Sequence, residues 1–237
     1  MSKTETNKPE QTPGFLSQRR MILSPNSPFA MQEAYKTLRT NLLFALRGKG
    51  CKKFCITSSA AGEGKSITIL NLAISFAQTG KKVLLIDADL RCPALARLLV
   101  EKATPGLSNI LADLVSEEET IRKDIYPNLD VIFSGDVPPY PSELLGGERM
   151  QELLGKMSER YDYILIDTPP VTMVSDVCIV ASFLDGVLLL ARQGKTRKDA
   201  LKQAVNQLKL TDAKLLGYVL NGVDMHSGSY YTYQKTT

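Results

Sequence analysis

A glycine-rich segment, SAAGEGKS at residues 59–66, has the residue types needed to bind the phosphates of a nucleotide. It follows a strand-like segment and precedes a helix-like one, which is the context that such a loop requires. Gly62 and Gly64 let the backbone turn so that successive N–H groups point at phosphate oxygens. Lys65 would place a positive charge on the β and γ phosphates, and the Ser66 hydroxyl could hold Mg²⁺. A chance Gly-Lys-Ser turn is the alternative, which the flanking segments disfavour.

Three aspartates end apolar, strand-like segments. Asp87 and Asp89 end the segment 82–89, and Asp167 follows four apolar residues in YILIDTPP, 163–170. Residues i and i+2 of a strand share a face, and ligands of open α/β sheets bind at the carboxyl ends of strands. One carboxylate could accept a proton from an attacking hydroxyl, and others could hold Mg²⁺ through water. The simpler reading is ordinary polarity at the start of a loop.

Asn221 ends the last strand-like segment, in YVLNGVD. Its amide could read the edge of a purine. It could equally be a turn residue with Gly222, because Asn-Gly favours turns. Both readings stay open at this point.

Three of the nine tyrosines, Tyr230, Tyr231 and Tyr233, lie in the last eight residues. A tyrosine ring is a large apolar group that is normally buried, and no core is expected so close to the chain end. A frayed terminus is one explanation. A set of phosphate acceptors is the other, and it requires that the rest of the chain transfer a phosphoryl group.

The elements that would position these residues alternate along the chain. Apolar residues recur at helical spacing in 31–46, which predicts an amphipathic helix. We predict strands at 53–58, 82–89, 129–135, 161–167, 186–192 and 214–222, with helical segments between them. Nearly continuous apolar strands that alternate with helices indicate an α/β fold, a mostly parallel β-sheet flanked by helices on both faces.

Composition limits the alternatives. Hydrophobic residues make up 43% and charged residues 23%, so the chain can build a core. Ten basic and three acidic residues fall within 1–53. Such a basic segment could face an acidic partner, a nucleic acid or an anionic membrane, or be a solvated tail. No apolar run approaches the ~18 residues of a membrane span, and no signal peptide opens the chain, so we expect no membrane crossing.

The four cysteines form no CxxC pattern and the chain has one histidine, so a zinc site is disfavoured. Reduced thiols of a cytosolic protein explain the cysteines best. We divide the chain into a disordered polar tail at 1–28, a nucleotide-binding domain at 29–223 and a flexible tyrosine-rich tail at 224–237.

The segments SSAAGEGKS, LLIDADLR and ILIDTPP, in this order, resemble the bacterial protein-tyrosine kinases of capsule and exopolysaccharide systems. The resemblance runs from about Met31 to the chain end. It implies a P-loop nucleotide-binding fold and an ATP- and Mg²⁺-dependent kinase that phosphorylates the tyrosine cluster of a neighbouring subunit. The first segment alone would indicate only a nucleotide-binding loop, whereas the set of three with the tyrosine-rich end is specific.

The resemblance also assigns roles to individual residues. By this resemblance, the catalytic residues would be Lys65, Asp87 and Asp89. The residues expected to bind ATP are Ala61, Gly62, Glu63, Gly64, Lys65, Ser66, Ile67 and Asn221. The metal ligands are Ser66, Asp87 and Asp167. The phosphate acceptors are Tyr230, Tyr231 and Tyr233.

The segment EAYKTLR resembles the oligomerisation motif of that family, with Glu33, Lys36 and Arg39 at three-residue intervals. The resemblance implies a ring of subunits in the cytoplasm, recruited to the inner face of the membrane by a separate membrane-anchored activator, a polysaccharide co-polymerase. A cognate phosphotyrosine phosphatase and further protein substrates are also implied, and nucleic acid is not. Lys36 stands where arginine is usual, and a lysine cannot reproduce a bidentate arginine fork.

The same three segments also resemble the partition and division-site ATPases, which switch between monomer and dimer without kinase activity. Those proteins carry a second lysine early in the phosphate loop, where this chain has Ala60. Without that lysine, a dimer would lack the charge that reaches across to its partner. The missing lysine and the tyrosine-rich end both favour the kinase reading.

Overall fold

A computed structural model describes residues 19–211 and 213–223. Seven strands form one sheet. They are β1 (Lys52–Ser58), β2 (Val83–Asp87), β3 (Arg122–Tyr126), β4 (Leu129–Ile132), β5 (Tyr163–Asp167), β6 (Gly186–Arg192) and β7 (Leu215–Asn221). Their order across the sheet is β3-β4-β2-β5-β1-β6-β7. All neighbours are parallel except β3 and β4, which are antiparallel.

Nine helices are present in the described ranges. They are α1 (Phe29–Ala45), α2 (Lys65–Ala77), α3 (Leu95–Leu99), α4 (Leu107–Leu111), α5 (Glu117–Thr120), α6 (Pro141–Gly146), α7 (Glu148–Ser158), α8 (Asp176–Ala181) and α9 (Lys198–Lys209). No helix in these ranges has the length and apolar character needed to span a membrane.

The core consists of two layers, one on each face of the sheet. Alternate residues of β2 enter opposite layers, since successive side chains of a strand point to opposite faces. Val83 and Leu85 pack with α1, α2 and α3, whereas Leu84 and Ile86 pack with α4, α7, α8 and α9. The central strands are buried on both faces, which explains why their sequences are continuously apolar.

The predicted fold class is confirmed, with one strand added at the edge. The sequence RKDIY of β3 is mostly polar and only half-buried, so it carries no apolar signal. It pairs antiparallel with β4 at the margin of the sheet. A strand in that position needs little burial, which is why the sequence pattern missed it.

The amino-terminal boundary also differs from the prediction. Residues 19–28 were expected to belong to a disordered tail, but Leu23 is buried against the α2 layer. Its backbone N–H donates a hydrogen bond of 2.7 Å to Asn71 Oδ1. The apolar Leu23 side chain and this buried polar partner order the segment, a correction to the prediction for 19–28. Residues 1–18 lie outside the described residues.

Candidate active site

The phosphate loop joins β1 to α2 and turns through two glycines in the left-handed region. Gly62 has φ of 71° and Gly64, the residue before α2, has φ of 102°. A Cβ atom on Gly64 would stand 2.3 Å from the side-chain amide nitrogen of Asn221. Lys65 is the first residue of α2 and is largely buried. The loop therefore has the turn, the helix start and the lysine that phosphate binding requires.

The buried Glu63 side chain stabilises the phosphate loop by hydrogen bonds. It is fully buried, and its carboxylate accepts hydrogen bonds from Ser59 Oγ at 3.2 Å and from the Ala60 backbone N–H at 3.1 Å. The hydroxyl of Thr196, which follows β6, also donates to it. Glu63 is thus a support for the loop, and its backbone is what remains available to a phosphate.

Two more groups after β6 and β7 contact the same loop. Lys195 Nζ donates to the carbonyl oxygens of Ala61 at 3.0 Å and Gly62 at 3.1 Å. Asn221 Nδ2 donates to the Glu63 carbonyl at 2.9 Å, and Asn221 Oδ1 accepts from the Gly222 N–H at 2.8 Å. The Asn221 amide therefore contacts the phosphate loop, which neither reading of the sequence anticipated.

Asp87 and Asp167 are the last residues of adjacent strands β2 and β5 and lie in register with each other. Both are fully buried. Burial, together with the charge of Asp167, raises the pKa of Asp87 well above its usual range. Burial raises the pKa of Asp167 to about 7, although the charge of Lys65 acts in the opposite direction. Two carboxylates in this position lack the water that normally stabilises their charge.

The Asp167 carboxylate fits a Mg²⁺ site. Among the described residues, neither of its oxygens has a hydrogen-bond partner, although both are buried. Buried carboxylates normally have such partners, so an orphaned pair of oxygens suits a cation. Ser66, Asp87 and Asp167 together offer hydroxyl and carboxylate oxygens. Mg²⁺ prefers these donors and usually keeps several waters, and no group of three His, Cys, Asp or Glu forms a metal cluster in the described ranges.

Asp89 is close to this pair but does not share its strand. The strand predicted over 82–89 ends at Asp87, so the argument from a common strand face is wrong for Asp89. The chain turns instead: the Asp89 N–H donates to the Asp87 carboxylate at 3.3 Å, and the Cys92 N–H donates to Asp89 Oδ1 at 3.0 Å. The turn keeps Asp89 near the carboxyl ends of β2 and β5, where its charge helps raise the pKa of both buried aspartates.

An ion pair between the buried Asp176 carboxylate and the exposed Arg91 side chain lies after the strands that carry the aspartates. Arg91 Nε donates to Asp176 Oδ2 at 2.8 Å, and Ser142 Oγ donates to Asp176 Oδ1 at 2.6 Å. Burial alone would raise the pKa of Asp176, but the Arg91 and Ser142 hydrogen bonds and the Arg91 charge hold it below its usual range. Asp176 is therefore ionised at neutral pH and ties the loop after β2 to α6 and α8.

The structure brings together the phosphate loop, the three aspartates and Asn221. The residues predicted to take part in oligomerisation lie elsewhere, on α1. Glu33 and Lys36 form an exposed ion pair at 2.7 Å, and Arg39 donates hydrogen bonds to the backbone carbonyl and the hydroxyl of Ser75 on α2. The predicted acceptors Tyr230, Tyr231 and Tyr233 lie outside the described residues.

The sequence reading missed Thr196, Lys195, Arg91, Ser142 and Asp176. A signal was available for the first two, because QGKT follows β6 directly and β6 neighbours the strand that leads into the phosphate loop. Polar residues after such a strand meet the ligand edge of the sheet. The Ser142–Asp176 contact spans 34 residues and has no local pattern.

Two clefts lie away from this site. Two open clefts flank Tyr161 at the amino end of β5, and Lys82 and Lys52 line them next to the starts of β2 and β1. In parallel α/β sheets ligands bind at the opposite, carboxyl edge. We therefore assign the functional site from the residues around the phosphate loop.

Comparison with known proteins shows the family of the chain. A family model described as an AAA domain matches residues 51–215. The tyrosine-protein kinase YwqD of Bacillus subtilis is 40% identical over 223 residues, which is 94% of this chain and 94% of that protein.

Two solved structures agree with this. The kinase domain of the Escherichia coli tyrosine kinase ETK matches with a TM-score of 0.82 and 32% identity, over 98% of this chain and 89% of that chain. The chimerical protein CapA2B2 matches with a TM-score of 0.79 and 34% identity, over 86% of this chain and 89% of that chain. With its phosphate loop, paired strand-end aspartates and similarity over nearly its whole length, the chain belongs to the bacterial tyrosine-protein kinase family.

Proposed function

We propose that this chain uses ATP and Mg²⁺ to phosphorylate tyrosines of its own C-terminal segment, with one subunit acting on another. The observation that carries the proposal is the buried, register-paired Asp87 and Asp167 beside a complete phosphate loop. Phosphoryl transfer depends mainly on positioning and on neutralising charge. This arrangement provides both, at the edge of the sheet where ligands bind.

In the reaction, the tyrosine oxygen forms a bond to the γ phosphorus as the bond to the β–γ bridging oxygen breaks. The products are phosphotyrosine and ADP, and the phenol proton passes to Asp87 or Asp89. Tyrosine has a pKa of ~10 and needs a proton acceptor at neutral pH. Lys65 and the backbone N–H groups of the phosphate loop stabilise the charge on the transferring group. Mg²⁺ would be held by Ser66, Asp87 and Asp167 and would neutralise phosphate charge.

The order of the strands supports transfer between subunits. The described chain ends at Val223, just after β7, and β7 is separated from β2 by β6, β1 and β5. Four strand spacings amount to ~19 Å, and seven extended residues from Val223 to Tyr230 reach ~25 Å at most. That length reaches the chain's own site, but a tail that folded back would have to cross the phosphate loop after β1, which favours the tail of a second copy as the acceptor.

The cellular setting is part of the same proposal. The family resemblance supports regulation of capsular or extracellular polysaccharide synthesis and export. It also supports a ring of subunits in the cytoplasm at the inner face of the membrane, a membrane-anchored activator, a phosphotyrosine phosphatase and further protein substrates. The solved CapA2B2 relative is a chimerical protein, which suits a kinase that works with a second polypeptide.

Phosphosite mapping tests the activity. The full chain is incubated with ATP, Mg²⁺ and the cytoplasmic part of a co-encoded membrane protein, and phosphate is mapped by mass spectrometry. We expect phosphate on Tyr230, Tyr231 and Tyr233, and none with Lys65→Met. Lys81→Met is the matched control, because Lys81 is exposed and forms a surface ion pair with Asp162. ATP hydrolysis without phosphotyrosine would instead indicate an ATPase switch.

A mixing experiment tests transfer between subunits. The donor is the full chain with Tyr230, Tyr231 and Tyr233 changed to Phe, and the acceptor is the Lys65→Met chain with its tyrosines intact. Phosphate on the Lys65→Met chain is the expected result. An unlabelled acceptor, under conditions in which the parent chain is labelled, would contradict transfer between subunits.

A further inference from the structure

One buried carboxylate fastens together three loops at the carboxyl edge of the sheet. Asp176, fully buried, accepts hydrogen bonds from Arg91 Nε at 2.8 Å, Arg91 Nη2 at 3.1 Å and Ser142 Oγ at 2.6 Å. Arg91 Nη2 also donates to Ser142 Oγ at 3.0 Å. Arg91 comes from the loop after β2, Ser142 from the start of α6 and Asp176 from the start of α8. A bidentate arginine gives such a junction a defined geometry.

The fastened loops stand on both sides of the catalytic aspartates. In the sheet, β4 and β5 are the two neighbours of β2. The segment after β4 leads to Ser142 and the segment after β5 leads to Asp176, so they flank the strand that ends at Asp87. The segment after β5 is held a second time, because the Thr172 hydroxyl donates to the Ser59 carbonyl. The walls beside Asp87 and Asp89 are therefore fixed in position.

These walls expose large apolar side chains to solvent. Val137 and Tyr140 precede Ser142 and are 70% and 66% exposed, and Met173 precedes Asp176 and is 64% exposed. Exposed apolar side chains on segments that border a polar site are typical of a surface that receives a partner.

We propose that Val137, Tyr140 and Met173 form a subsite for the ring of the acceptor tyrosine, and that its occupant is the segment 224–237 of a second copy of this chain. The inference rests on the proposed kinase activity and adds the residues that receive its substrate. A phenol has an apolar body and a polar tip. Packing of the body against these side chains would direct the hydroxyl toward Asp87 and Asp89.

The composition of residues 224–237 and the direction of β7 favour this occupant. Fourteen residues follow Val223, they include three tyrosines, and their charged groups are few, Asp224 and Lys235. Because β7 is parallel to its neighbour β6, the chain leaves the sheet at the same edge as the catalytic aspartates. A segment with few charges of its own avoids repulsion from the Asp87 and Asp89 carboxylates, and its three tyrosines supply the acceptor hydroxyls.

The test measures an acceptor in trans. The enzyme is the full chain with Tyr230, Tyr231 and Tyr233 changed to Phe, and the acceptor is a synthetic peptide with the sequence of residues 227–236, SGSYYTYQKT. Val137→Ser with Met173→Ser should raise the KM for the peptide about tenfold or more. The KM for ATP and the thermal midpoint should stay unchanged. Leu210→Ser is the control, since Leu210 is 85% exposed and follows α9, away from the site.

Arg91→Lys probes the junction that holds the walls. Lysine keeps the charge but loses the bidentate geometry, so we expect a higher KM for the peptide with an unchanged KM for ATP. A Val137, Met173 double variant that matches the Leu210→Ser control in peptide KM would overturn the subsite while leaving the kinase activity intact. If the parent chain incorporates no phosphate under any of these conditions, the proposed function and the subsite both fail. Labelling that occurs only within one chain, in the mixing experiment, would overturn the second copy as occupant.

Discussion

Asp87 and Asp167 face each other in register across two parallel strands, and both carboxyl groups are fully buried. Each negative charge raises the free energy of the other in a site with little water. The chain tolerates this arrangement because the same charges would bind a cation between phosphate and protein. The paired carboxylates that would bind the cation therefore lower the stability of the metal-free fold, and this loss can be measured.

The first prediction concerns Asp167→Asn and pH. A carboxyl group whose folded pKa is raised destabilises the folded state as pH rises from its unfolded pKa, near 4, to the folded pKa, about 7. This loss should amount to up to about 4 kcal/mol at pH 8. Asp167→Asn should therefore raise the thermal midpoint of the metal-free protein by up to roughly 10 °C at pH 8. The gain should shrink toward pH 5, as differential scanning fluorimetry across pH would show. A constant gain at every pH would contradict a raised pKa.

The second prediction concerns the support of the phosphate loop by Thr196. Thr196→Val keeps the shape of the side chain but removes the hydroxyl that donates to Glu63. The buried Glu63 carboxylate then lacks one partner, at a cost of about 1–3 kcal/mol. We expect the KM for ATP to rise about tenfold while kcat changes less than threefold. The matched control is Thr211→Val. Thr211 follows α9, and its hydroxyl donates a hydrogen bond to the backbone carbonyl of Leu208. Equal effects of both variants on the KM would remove the loop contact as the cause.

The third prediction separates crowding from backbone strain at the phosphate loop. Gly64 and Gly80 both have positive φ, 102° and 79°, but only Gly64 has a close neighbour, the Asn221 amide. Gly80→Ala should cost about 1–2 kcal/mol of stability and leave ATP binding unchanged. Gly64→Ala should add a clash with Asn221 and weaken ATP binding at least 100-fold. Calorimetric titration with ATP and Mg²⁺ measures both, and equal affinity in the two variants would refute the role of the Asn221 contact.

The fourth prediction concerns assembly through α1. Arg39 holds α1 to α2 through Ser75, so its removal should loosen this packing and disturb the proposed subunit contact through α1. Arg39→Ala should give smaller particles by light scattering and a loss of about 1 kcal/mol in unfolding free energy. Lys36→Ala breaks only an exposed ion pair, which contributes little. Unchanged particle mass in Arg39→Ala would exclude this part of α1 from the subunit interface.

Much of this protein is determined by local sequence. The glycines and Lys65 define the phosphate loop, because only that order of residue types makes a turn that opens a helix with its N–H groups free. Continuous apolar runs that end in aspartate define β2 and β5, because a strand covered on both faces must be apolar throughout. The parallel α/β fold follows from the alternation of such strands with helices. The family of the chain follows from the order of these motifs.

Other features depend on which strands become neighbours. The strand order puts Asp87 beside Asp167, although 79 intervening residues separate them in the chain. It also puts Thr196 and Asn221 on the phosphate loop and fastens Arg91, Ser142 and Asp176 into one junction. Sequence patterns report on burial and on neighbours along the chain, whereas these contacts arise between segments that meet only when the sheet is assembled. For that reason the sequence alone revealed the chemistry of the site, and the tertiary structure decided which side chains support it and which surface could receive its substrate.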